Sequence, residues 1–170
     1  MQFELSEVTV LFSHLNSRTE KHGEDIVAAG DLKIRAQLSN DCLAMFHPAL
    51  KSCLYFYDKT ADEDLVDKAQ SEEPGYMPHL RFAQIEGFKW DGEIVSAKVT
   101  VHSGIDAKSD IALDDCKVNQ FSLEPQNGGT VIVTMRIQMH PNEKQAGKLW
   151  AMVGDNIVLS VEPPKEESMV

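Results

Sequence analysis

Residues 126–139, QNGGTVIVTMRIQM, decide the fold. Asn127-Gly128 is the strongest short-range hairpin signal, because a type I′ turn needs positive φ at both central residues. Beyond it, Val131, Val133, Met135, Ile137 and Met139 alternate with Thr130, Thr134, Arg136, Gln138 and His140. Ile132 is the one apolar residue on the polar face. A period of two belongs to a half-buried strand, whereas a helix repeats its apolar positions every three to four residues. The strand leading into the turn, residues 116–124, keeps the pattern less cleanly around Val118, Phe121 and Leu123.

The same rhythm recurs along the chain. Val95, Ala97, Val99 and Val101 alternate with Ser96, Lys98, Thr100 and His102. Leu32, Ile34, Ala36 and Leu38 alternate with Lys33, Arg35 and Gln37. Near the start, Phe3 and Leu5 share one face, and Val8, Val10 and Phe12 the other. That switch predicts a β-bulge near Ser6 and Glu7, since one extra residue inverts a period of two. A polar stretch over 16–25, with Gly23 as its turn residue, joins the first two strands into a long hairpin.

Helices are few. Ser39, Asn40 and Asp41 offer N-caps ahead of a turn or two over 42–46, which Pro48 limits. Residues 49–57 read as a second short helix passing into a strand at 54–57. Pro141 suits the first position of a helix that buries Ala146, Leu149, Trp150 and Val153 on one stripe and stops at Gly154. Ile157, Leu159 and Val161 form the last strand. These elements predict one mainly β (α+β) domain over 1–164, an antiparallel β-sandwich or partly open barrel with one or two short helices. An OB-like barrel is the alternative, with the helix before the last strand covering an open end or face. An acidic loop at 58–78 interrupts the domain, and residues 165–170 form a mobile tail.

Charge limits the partners. The chain carries 27 Asp and Glu against 16 Lys and Arg, a net charge of -11 with a pI near 4.9. Residues 58–73 hold seven acids and two lysines, and residues 106–115 form a second acidic patch. Such a surface repels nucleic acid and anionic membrane at long range and attracts basic partners. Residues 1–12 lack the basic start of a signal peptide, and no apolar run nears the ~18 residues of a membrane span. Three cysteines, Cys42, Cys53 and Cys116, with no Cys-x-x-Cys spacing, predict free and mostly buried thiols in a reducing cytoplasm.

Catalytic motifs are missing. None of the six histidines pairs with another at metal-ligand spacing, and His47 and His140 precede prolines as boundary devices. Asp106, Asp110 and Asp114, with Asp115 beside the last, are spaced by four. An EF-hand needs positions 1, 3 and 5 and a closing Glu, so they read as a solvated turn. No Gly-x-Ser-x-Gly elbow, Cys-His signature or phosphate loop is present. The expectation is a non-enzymatic protein with no catalytic residue, metal or cofactor.

Two binding modes remain. In the leading one, Glu63, Asp64, Asp67, Glu72 and Glu73, with Asp106, Asp110, Asp114 and Asp115, imitate the charge of DNA and meet a protein with a basic surface. In the alternative, Tyr55, Tyr57, Phe88 and Trp90, near Phe56 and Phe82, stack the bases of single-stranded DNA. Such grooves are lined by cations. Here these lie scattered as Lys33 and Arg35, Arg81 and Lys89, Lys144 and Lys148, and core packing is the commoner fate of large rings.

Two long segments carry a resemblance. Residues 30–55, GDLKIRAQLSNDCLAMFHPALKSCLY, and residues 109–164, especially LDDCKV and GGTVIVTMRIQMHPNEKQAGKLWAMVGDNIVLSVEPP, resemble small accessory proteins of temperate phages and prophages. The resemblance implies a bacterial host cytoplasm and an accessory role. It carries no catalytic or binding residue with it.

Overall fold

Alternating strands with one buried face must either pack on a second sheet or close on themselves. This chain closes. A computed structural model describes residues 1–59, 74–104 and 106–165. Its strands are β1 (Leu5–His22), β2 (Asp25–Ser39), β3 (Tyr55–Phe56), β4 (His79–Leu80), β5 (Phe88–Trp90), β6 (Ile94–His102), β7 (Ile111–Pro125), β8 (Thr130–Met139) and β9 (Asn156–Glu162). β1, β2, β8, β7, β6 and β9 pair in that order, and β9 returns to β1, so six antiparallel strands form a closed barrel. β5 adds a short strand outside the ring on β7, and β3 pairs with β4 apart from it. The expected β-rich antiparallel domain is present as a barrel. Pairing across every junction leaves no two separate sheets to make a sandwich.

Bulges let the strands curve. The predicted one is there: the β1–β9 register shifts between Leu5 and Val8, and Glu7 sits at φ 49°. Ser96, Asp115 and Gln120 adopt the same left-handed conformation in β6 and β7. Each of the four directly precedes a residue packed in or against the core: Val8, Ala97, Cys116 and Phe121. The bulge in β6 turns Ile94 inward and leaves Val95 half exposed, opposite to the simple alternation.

The first hairpin runs straight through the polar stretch, turning at Gly23 with φ 67°. At the 126–129 turn the left-handed residues are Gly128 and Gly129, not Asn127 and Gly128. Asn127 instead accepts the Leu80 amide through Oδ1 at 3.2 Å, and the Gly128 amide donates to the Pro78 carbonyl at 2.8 Å. The turn is docked on a neighbouring segment, which overrides the simple type I′ choice.

Both barrel ends are plugged. At one, a 3-10 helix (Asn40–Met45) and α1 (Leu50–Leu54) bring Leu43 and Phe46 onto the core. Phe46 meets Phe3 and Phe121 with ring centroids 5.5 and 5.3 Å apart. At the other, α2 (Glu143–Ala151) lies between the end of β8 and the start of β9. Its N-cap is Asn142, in a reciprocal capping box with Gln145, so Pro141 lies just outside the helix rather than at its first position. Leu149 is buried, with Met152 packed against the same core, while Trp150 is 65% and Val153 38% exposed, so the expected four-residue stripe is only partly buried. Among the described residues, no helix is long and apolar enough to cross a membrane.

Phe121 joins β7 to this aromatic plug, so Phe121→Ala is expected to cost about 3–5 kcal/mol in guanidinium denaturation. Burial pushes the Cys42 and Cys116 thiols up from 9.0, and the Tyr55 hydroxyl up from 10.0, to about 12 each. The neutral forms are favoured in the fold, so their contribution is full below pH 9 and lost as pH rises towards 12. Stability measured by denaturant titration should fall across that window.

Candidate functional site

Because Leu32, Ile34, Val133, Met135 and Val118 face the core, the residues between them face outward. The register then aligns them across strands. Lys33 of β2 stands opposite Arg136 of β8, and Arg136 opposite Asn119 of β7. One step along, Arg35 stands opposite Thr134, Thr134 opposite Ser122, and Ser122 opposite Lys89 of β5. The bulge at Gln120 breaks β7–β8 pairing between these two rows. A groove of about 900 Å³ opens there, lined by Lys33, Lys89, Trp90, Asn119, Gln120 and Thr134 among others. A depression of about 270 Å³ adjoins it, sharing Lys33, Gln120 and Thr134 and adding His14, Asn16 and Arg136.

Electrostatically the groove differs from the rest of the chain. Among the described residues, no carboxylate lies within 4.0 Å of the side-chain nitrogens of Lys33, Arg35, Lys89 or Arg136. Arg136 is held instead by a neutral chain: its Nε donates to Asn119 Oδ1 at 3.0 Å, and Asn119 Nδ2 donates to Gln138 Oε1 at 3.2 Å. Three acids border the site. Glu93 is answered by Lys117 at 3.7 Å and Asp31 by Arg18 at 3.1 Å, which leaves Asp91 at the Trp90 end. With four cations gathered here, the remaining surface is more acidic than the net charge of -11 suggests.

The predicted stacking residues divide. Trp90 lines the groove, with its other side 6.1 Å from the Phe46 ring. Phe88 is half-buried against the core. Tyr55 is fully buried: its hydroxyl donates to the Gln126 carbonyl at 2.8 Å and accepts the Gln126 amide at 3.0 Å, so it has no face to offer a base. Tyr57 packs 6.0 Å from Tyr76, outside the residues lining the groove. Phe56 lies under the Arg81 guanidinium, 5.5 Å from its carbon, and Phe82 is 58% exposed.

The predicted acidic sites divide as well. Glu63, Asp64, Asp67, Glu72 and Glu73 lie outside the described residues. Asp106 is exposed. Asp114 and Asp115 belong to β7 rather than a loop, and Asp115 Oδ1 accepts the Ser96 hydroxyl at 2.9 Å. Asp110 is committed internally: it contacts His102 Nδ1 at 3.1 Å and accepts the Ser103 amide at 3.1 Å.

That last contact belongs to an arrangement not legible in the sequence. His102 Nε2 lies 2.8 Å from Ser160 Oγ, which gives the order serine–imidazole–carboxylate. Geometry of that kind activates nucleophiles. Here Ser160 is 7% exposed, its Oγ also accepts the Glu7 amide at 2.9 Å, and none of the three residues lines the grooves above. The chain ties β9, β6 and the β1 bulge together. A second group outside the groove joins Glu20, His22 and His140, residues far apart in sequence whose meeting only the fold arranges.

Compared with protein-family models, curated proteins and solved structures, the chain matches none.

The relay is therefore expected to behave as a strut. Ser160→Ala should lower stability by about 1–3 kcal/mol in guanidinium denaturation, because it strands the Glu7 amide and the imidazole. A fluorophosphonate serine probe should leave the native protein unlabelled by mass spectrometry.

Proposed function

We propose that this protein is a non-enzymatic binder of single-stranded nucleic acid, using the outer face of β2, β8, β7 and β5 as its track. The observation that carries this reading is the gathering of Lys33, Arg35, Lys89 and Arg136 on one outer face of an otherwise acidic chain, with Lys33 and Lys89 lining the groove beside Trp90 and Arg136 lining the adjoining depression; among the described residues, none of the four has a carboxylate partner. Backbone-tracking cations with an adjoining aromatic platform are what sequence-tolerant single-strand binding requires. The barrel is OB-like in closing an antiparallel sheet and plugging it with helices, though six strands complete it where an OB-fold uses five. The resemblance to phage accessory proteins implies an accessory role in a host cytoplasm, and in this reading that role belongs to phage DNA metabolism.

The acidity has a use in this reading. A negative surface around a positive groove confines a polyanion to one path and disfavours non-specific coating elsewhere. A second reading keeps the protein as a DNA-mimicking inhibitor of a host nucleic-acid-directed or defence machine. The exposure of Asp106, Asp114 and Asp115 favours it.

Fluorescence anisotropy with a labelled thymidine oligomer separates the two. Binding at low ionic strength is expected, with log K falling against log salt at a slope of about -3 for four phosphate contacts. The exposed pair Lys33→Glu/Arg35→Glu should weaken it by more than about tenfold. No binding at low salt, or affinity indifferent to that pair, overturns the reading. Capture of a basic protein that charge reversal at Asp114 and Asp115 abolishes then decides for the inhibitor.

A further inference from the structure

The β1–β2 hairpin outruns its neighbours. β2 pairs with β8 only as far as Gly30 and Met139, whereas β1 and β2 continue to His22 and Asp25. Residues 17–30 thus form a two-stranded arm at the barrel end where α2 begins. Glu20 and His22 sit two apart on β1, so a strand's period places them on one face. His140 follows the last residue of β8. β2 lies between β1 and β8 in the sheet, and the three side chains bring their ligand atoms together.

Their ligating atoms meet closely. His140 Nε2 lies 2.8 Å and His22 Nε2 3.4 Å from the same Glu20 oxygen, Oε2, and one such atom from each residue lies within 4.8 Å of the others. The imidazole rings stand nearly perpendicular, with centroids 5.7 Å apart. In a tetrahedral zinc site with bonds of about 2.0–2.1 Å, neighbouring ligand atoms stand roughly 3.3 Å apart. The two contacts to Glu20 bracket that edge, so a cation enters the triangle with small side-chain adjustments. Arg18 donates to the other Glu20 oxygen and to Asp31, which orients the carboxylate from behind. Asp31 offsets the guanidinium charge, and Glu24 and Asp25 at the arm's turn add to the negative field.

We propose that Glu20, His22 and His140 form a binding site for a divalent transition-metal cation of the zinc type. Two imidazoles and one carboxylate leave a fourth position for water, the donor set of a three-ligand zinc centre. The metal fastens the arm to the junction of β8 and α2, where His140 already meets Glu20 and the His22 ring. It rests on different residues from the nucleic-acid groove and does not depend on that reading.

The test uses the full chain, stripped with chelator, and zinc chloride alone. Isothermal titration at pH 7.5 should give one saturable equivalent, and saturating zinc should raise the melting temperature. His22→Ala and His140→Ala, both at exposed positions, should each weaken binding by more than about tenfold while leaving the metal-free melting temperature unchanged. Cys53→Ser should bind like the parent, which separates this site from an exposed thiol. No saturable binding below about 100 µM zinc overturns the proposal, as does undiminished binding in either histidine variant.

Discussion

Closure of the barrel is the constraint on which everything else depends. A six-stranded ring has no edge to leave unpaired, but it forces each strand to bend as it passes from one neighbour to the next. β7 is bent most. Its first half pairs with β6 and its second half with β5, while β8 pairs with it only from Lys117 to Pro125. Left-handed residues at Asp115 and Gln120 make that possible, and neither is glycine. The conformation costs of order 1–3 kcal/mol for such residues, and it persists because the packing of Cys116 and Phe121 over-determines it. The groove is a by-product of that bend, since the residue that loosens β7–β8 pairing is also one of its walls.

Much of this was legible in the residues themselves, and the parts that were not share a cause. The bulge in β1 announces itself because Leu5 and Val8 are apolar and Ser6 and Glu7 polar. The same step of three joins Ile94 to Ala97, Leu113 to Cys116 and Val118 to Phe121. In β6 an apolar Val95 fills the gap and mimics an unbroken alternation. Helix α2 misleads in the same way: Trp150 lies on the expected stripe, yet the chain turns it outward and uses Leu149 and Met152 as the plug. Local pattern cannot choose between two apolar neighbours when tertiary packing makes the choice.

Functional groups were legible as types and not as neighbours. Lys33 and Arg35 stood out together, but Lys89 and Arg136 come from other strands, and only the cross-strand register assembles the four. The histidines likewise showed no ligand spacing along the chain, because Glu20 and His22 lie 120 and 118 residues from His140 and meet it across β2. The acids behaved differently again. Asp110 is consumed by His102 and the Ser103 amide, and Asp115 is part of a strand. Charge counted along a sequence therefore overstates what is free to meet a partner.

The ring is closed by its first and last strands: β1 pairs with β9, so Leu5 stands against Val161 and Val10 against Ile157. No shorter N-terminal piece of the protein contains that seam. A nascent chain can form the β1–β2 hairpin early, since its partners are near in sequence, but it must hold a half-wrapped sheet open until the last strand arrives. Loop-closure entropy over that separation places the molecule among slow, high-contact-order folders. During synthesis the edges of β1 and β6 wait for the same strand, since β9 pairs with both.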